Sequence, residues 1–89
     1  MATVMLNAKV CESVLREQLH AHAKGYDRAH DDARGSGQLV TEAVYRLTHM
    51  GEYPTDEAVR HEIIVAIGLL FNAVETLDRA LESGHTVTV

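Results

Sequence analysis

His30-Asp31-Asp32 sets an imidazole beside two carboxylates, in a stretch bounded by Gly25 and by Gly35-Ser36-Gly37. The rest of the chain reads as helix. Side chains of these types bind a divalent cation through oxygen or mixed ligands. They also hydrogen-bond the polar edge of a base or a ribose. Tyr26 precedes the cluster and Gln38 follows it, so the candidate ligand-binding set is Tyr26, His30, Asp31, Asp32 and Gln38. Successive side chains on a helix point about 100° apart, so three neighbours do not make a coordination shell. A metal held by His30, Asp31 and Asp32 needs ligands from elsewhere, such as Glu42, His49, His61 or Glu62. The competing structural reading has Asp27 capping a short helical turn and Arg28 pairing with Asp32 four residues on. In that reading His30 packs or bonds to a loop carbonyl.

The elements that must position this cluster are helical. Residues 4–24 read as a first helix, because Val4, Ala8, Cys11, Leu15, Leu19 and Ala23 recur at spacings of three and four. Gly25 suits the position after a helix end, and Lys24 complements the negative end of the dipole. Residues 28–34 form a short turn. A second helix spans about 38–50, with Leu39, Val40, Ala43, Val44, Leu47 and Met50 on its apolar face. Thr55 is a good N-cap for a third helix, 55–83, which Gly84 ends. The expected fold is all-α: one domain over 1–84 and a tail at 85–89. His20 and His22 resemble a metal dyad, but residues two apart on a helix do not share a face.

The third helix carries a second signal. Over 55–83 it would measure about 43 Å at 1.5 Å per residue. A compact chain of this size is roughly 31 Å across. From Ile63 to Phe71 every residue is apolar or glycine. A helix that is apolar all round must be covered all round. Two companion helices hardly cover it, so the expectation is a helical homo-oligomer with Ile63, Ile64, Ile67, Leu70, Phe71 and Val74 at the interface. Gly68 is a bend or a point of close helix approach.

Composition excludes several function classes. The net charge is −5 and the basic residues are scattered, so no positive stripe exists to track phosphates or anionic membranes. Nucleic acid and membrane are therefore disfavoured partners. Aromatic residues make up only 4% of the chain, too few for a large stacking platform. Cys11 is the sole cysteine and forms no internal disulfide, and no signal peptide is evident, which points to the cytoplasm. No glycine-rich phosphate loop is present, and Cys11 has no readable base partner. The E-x-x-E…E-x-x-D signature of helical nucleotide pyrophosphohydrolases is not met either. No catalytic residue and no cofactor are assigned, and the reading leans away from an enzyme.

Gly25-Tyr26, His30-Asp31-Asp32, Gly37-Gln38-Leu39, Ala43 and Tyr45 together resemble a pattern in small phage-encoded helical proteins. Those proteins carry a glycine and an aromatic, an H-D-D, a G-E-L or G-Q-L, and an alanine-rich helix with a tyrosine. The resemblance spans 21 positions, about a quarter of the chain. Many members carry an E-R-x-R-Q type helix before the glycine. Here the corresponding residues begin Arg16-Glu17-Gln18-Leu19-His20, so that element is absent or altered. The resemblance brings no activity with it. It implies phage origin and a cluster facing a shared site.

The expected function is a small phage-type binding protein that acts by occupancy as counter-defence. It would block a host or defence protein, or sequester a small nucleotide signal. The alternative is a metal-dependent nucleotide phosphohydrolase in which His30, Asp31 and Asp32 hold the divalent ion.

Overall fold

A computed structural model describes residues 7–84. The chain is all-helical over that range, in the order α1 (Ala8–Ala23), α2 (Arg28–Arg34), α3 (Ser36–Thr48), a single 3-10 turn (Met50–Glu52) and α4 (Asp56–Glu82). Residues 4–6 of the predicted first helix and the predicted tail at 85–89 lie outside the described residues, and Asn7, also placed in that helix, is its extended N-cap instead.

Local capping chemistry sets most of the helix ends. The backbone N–H groups of Val10, His30 and Ala58 donate to the side chains of Asn7, Asp27 and Thr55, at 3.2, 3.0 and 3.1 Å. Each bond satisfies a first-turn N–H that has no partner within its helix. At the end of α1, Gly25 N–H bonds to His22 O at 3.0 Å, and Tyr26 N–H to Ala21 O at 3.0 Å. This paired closure needs a left-handed residue, and Gly25 supplies it with φ 93°.

The expected glycine-serine-glycine break is a single residue. Gly35 both ends α2 and starts α3, at φ 84° and ψ 156°. Only glycine enters that region freely. One such residue turns the chain without a loop, so Ser36 and Gly37 join α3 instead of preceding it.

α4 is the central element, and α1, α2 and α3 all pack on it. The core is thin: Leu39 and Ala43 of α3, with Ile64, Ala66 and Ala73 of α4. Ile64 is only 6% exposed, so it belongs to this core and not to the interface stripe in which the sequence placed it. Gly68 is buried, and its Cβ position lies 3.7 Å from the Gln18 amide, so it marks a close approach of α1. α4 runs unbroken through it.

The first helix contradicts its pattern. No residue of α1 is buried. Leu15 and Leu19, the centre of the predicted apolar stripe, are 60% and 63% exposed. A polar clasp holds α1 to α4 instead. The Gln18 side-chain amide donates to Asn72 Oδ1 at 2.8 Å and to Gly68 O at 3.2 Å, and Asn72 Nδ2 donates back at 3.2 Å. Arg60 adds a bond to Ser13 Oγ at 2.9 Å.

Gly35→Ala is expected to cost about 1–3 kcal/mol, because space is open there but the backbone conformation is not. Gly51→Ala is the control: its Cβ also meets open space, its φ is not positive, and the change should stay within about 0.5 kcal/mol. Urea unfolding followed by helical circular dichroism measures both. Equal losses in the two variants would contradict the role given to the Gly35 corner.

Candidate functional site

α2 is seven residues long, and its geometry sends the two adjacent carboxylates in different directions. Asp32 turns to α4, where Arg79 grips it through two nitrogens, Nη2 at 2.7 Å and Nε at 3.0 Å from Oδ1. The pair is bidentate and charge-assisted. Arg79 Nη2 also lies 3.3 Å from Thr76 Oγ1. The expected Arg28–Asp32 pair is replaced by this long-range one. Asp32 is thus a fastener that docks α2 onto α4.

Asp31 turns the other way. It lines a cleft of about 460 Å³ walled by all four helices, and it is 6% exposed. Among the described residues no side-chain or backbone donor bonds to its carboxylate. Burial pushes its pKa above the ordinary 3.8, and the charges of His30, Arg34, Arg79 and His22 oppose that only in part.

His30 and Tyr26 share the cleft. Their rings lie 4.9 Å apart, tilted by 59°. The His30 Nε2 atom is buried without a hydrogen-bond partner among the described residues. Tyr26 keeps half of its surface open, at 49%.

A chain of alternating charges forms the opposite wall. Arg34 bonds to Glu42 at 2.7 Å. Arg46 lies 3.7 Å from Glu42 and bonds to Glu62 at 2.7 Å. Burial works against the Arg46 charge. The Glu62 hydrogen bond and the charges of Glu62 and Glu42 outweigh it, so the pKa of Arg46 rises. Arg46 Nε is buried and unpartnered among the described residues.

Of the five predicted ligand residues, Tyr26, His30 and Asp31 meet in the cleft. Asp32 lines a separate depression beside Arg79, and Gln38 is exposed on the outer side of α3. Of the further metal-ligand candidates, Glu42 lines the cleft and Glu62 pairs with Arg46. His49 stacks on Tyr45 at 4.0 Å, and His61 is exposed. Among the described residues no group of three or more His, Cys, Asp or Glu side chains is placed to hold a metal ion.

Sequence reasoning missed Glu17, His20 and Lys24, which α1 brings to the cleft. Their spacings of three and four put them on one helix face. The polar periodicity of α1 was therefore the usable signal, and its apolar periodicity misled.

A second groove, of about 530 Å³, separates α1 from α4. Val10, Cys11, Val14, Leu15, Ile67 and Phe71 line it, and it is almost wholly apolar. Ile63, Ile67, Leu70, Phe71 and Val74 are 37–57% exposed along α4.

The raised pKa of Asp31 carries a sign. Between 3.8 and its folded value, the native state binds more protons than the unfolded one, so this residue lowers stability as pH rises. Asp31→Asn removes that slope. The stability of the variant relative to the wild type should therefore increase from pH 3 towards neutrality, read from urea midpoints at each pH. A difference that stays flat or falls would mean the carboxylate is not desolvated. Comparison of the chain with protein-family models, with curated proteins and with solved structures gave no match.

Proposed function

We propose that this chain is a small phage-type binding protein that assembles as a homo-oligomer and acts by occupancy, sequestering a small nucleotide signal as counter-defence. The observation that carries the reading is Asp31: a desolvated carboxylate without a donor among the described residues, in a cleft that also holds an orphaned imidazole nitrogen. Buried polar groups are normally satisfied, and an unsatisfied one such as His30 Nε2 needs an explanation. Perturbed carboxylates in clefts concentrate at functional sites. A volume of about 460 Å³ lies within the range of small-molecule sites.

The geometry favours binding over metal-dependent hydrolysis. Asp32 is committed to Arg79, so His30, Asp31 and Asp32 do not converge on one point. A cleft that holds a ligand without a convergent catalytic set acts by withholding that ligand.

Exposed apolar surface supports the oligomer. The accessible area is 6628 Å², against about 5,200 Å² for a compact monomer of this mass. The radius of gyration is 14.6 Å, against about 12 Å for a compact chain. The apolar groove and the α4 stripe adjoin, since Ile67 and Phe71 belong to both. A second copy is the occupant most complementary to such a face, because each copy brings the same unburied α1 and α4 residues. No helix of the described residues is long and apolar enough to cross a membrane.

Light scattering on the eluting protein should give a mass of two chains or more, and Phe71→Glu should reduce it to one. Isothermal titration against mononucleotides and cyclic nucleotides should show binding that persists without turnover. A monomeric wild type would sink the oligomer. Failure of every nucleotide, together with binding to a purified host protein, would move the function to blocking that protein.

A further inference from the structure

Resting on the nucleotide-sequestering reading, we propose that the cleft selects a guanine base, whose ring N–H and adjacent 2-amino group donate side by side to the Asp31 carboxylate. A carboxylate offers acceptors only. Its strongest planar partner is a pair of parallel N–H donors. Guanine presents such a pair on one edge. Adenine and cytosine place an acceptor nitrogen beside their amino group, and uracil flanks its single N–H with two carbonyl oxygens. Each of those sets lone pairs against the carboxylate. Asp31 is 6% exposed, lines the cleft and takes no donor from the described residues, so a matched base supplies a pair of hydrogen bonds that a mismatched one does not.

The remaining lining suits the rest of a nucleotide. Tyr26 turns a half-open ring towards the cleft, and stacking on an aromatic face is tolerant of base identity. Lys24 and His20 lie on the same wall and form no ion pair among the described residues, so they meet the phosphate. Arg34 and Arg46 are already committed to Glu42 and Glu62. Glu17 also reaches the cleft, but it is less buried than Asp31 and stands on the α1 face beside His20 and Lys24, so affinity divides between a base-indifferent stack, a phosphate contact and Asp31 as the base-specific carboxylate.

Titration calorimetry on the intact protein with GMP, IMP, AMP, CMP, UMP and guanosine separates these parts. GMP should bind tightest. IMP, which lacks only the 2-amino group, should bind roughly 5- to 150-fold more weakly, the equivalent of 1–3 kcal/mol for one edge contact. This comparison uses the wild type and is independent of any variant's folding. Asp31→Asn should erase the preference for GMP over AMP, because a carboxamide offers one donor and one acceptor. Tyr26→Ala should weaken all the mononucleotides alike. Lys24→Ala should weaken GMP and leave guanosine unchanged. Equal affinity for GMP, IMP and AMP, or a guanine preference that survives Asp31→Asn, overturns the base assignment while nucleotide sequestering stands. Binding of none of the six by folded protein overturns the base assignment, and the sequestering reading falls with it if the cyclic nucleotides fail too.

Discussion

The corner at Gly35 is the constraint on which the site depends. With φ 84° and ψ 156°, this one residue lets α2 fold back against α3 with no intervening loop. Any side chain there strains the backbone, since the conformation is open only to glycine. The corner alone does not settle where α2 lies. The bidentate pair between Asp32 and Arg79 does that, linking residues 47 apart in sequence. Hinge and fastener together fix the rotation of α2 about its own axis. That rotation puts Asp31 inside the cleft and Asp32 outside it.

A thin core explains why polar contacts carry so much of the architecture. Of the five buried apolar residues, three are alanines. Small side chains let helices approach closely but bury little area each, and area is what drives burial. The Gln18–Asn72 amide pair, the Arg34–Glu42–Arg46–Glu62 chain and the Asp32–Arg79 pair therefore define the seams between helices. Partly buried charge pairs specify geometry more than they stabilise it. Large apolar residues, Leu15, Leu19, Phe71 and Val74 among them, lie at the surface and add nothing to the core.

Local chemistry was the legible part of the fold. Asp27 and Thr55 cap the helices that their side chains predicted, and Gly25 closes α1 as its position suggested. These interactions span three to five residues, so the sequence contains both partners. The site was half legible for the same reason. Tyr26, His30 and Asp31 belong to one short segment and reach the cleft together. Asp32 and Gln38 were grouped with them by adjacency, and adjacency is a poor guide where each residue rotates the next side chain by about 100°. Ile64 was misassigned because a run of apolar residues looks alike on every face until a neighbour chooses one.

The amino-acid sequence by itself determined the caps that begin α2 and α4 and the glycine that closes α1, that α4 outruns its companions, and that an imidazole and carboxylates sit beside a glycine corner. Caps, breakers and periodicity act within a turn or two, and their energies do not depend on distant residues. Tertiary structure decided which face of each helix is buried. It chose the polar side of α1 over its apolar side, because Gln18 finds Asn72 and Gly68 across 50 or more residues. It also divided two adjacent carboxylates between a fastener and a cleft, because only one of them can face Arg79. Such choices are differences between competing long-range pairings, and no local pattern encodes them.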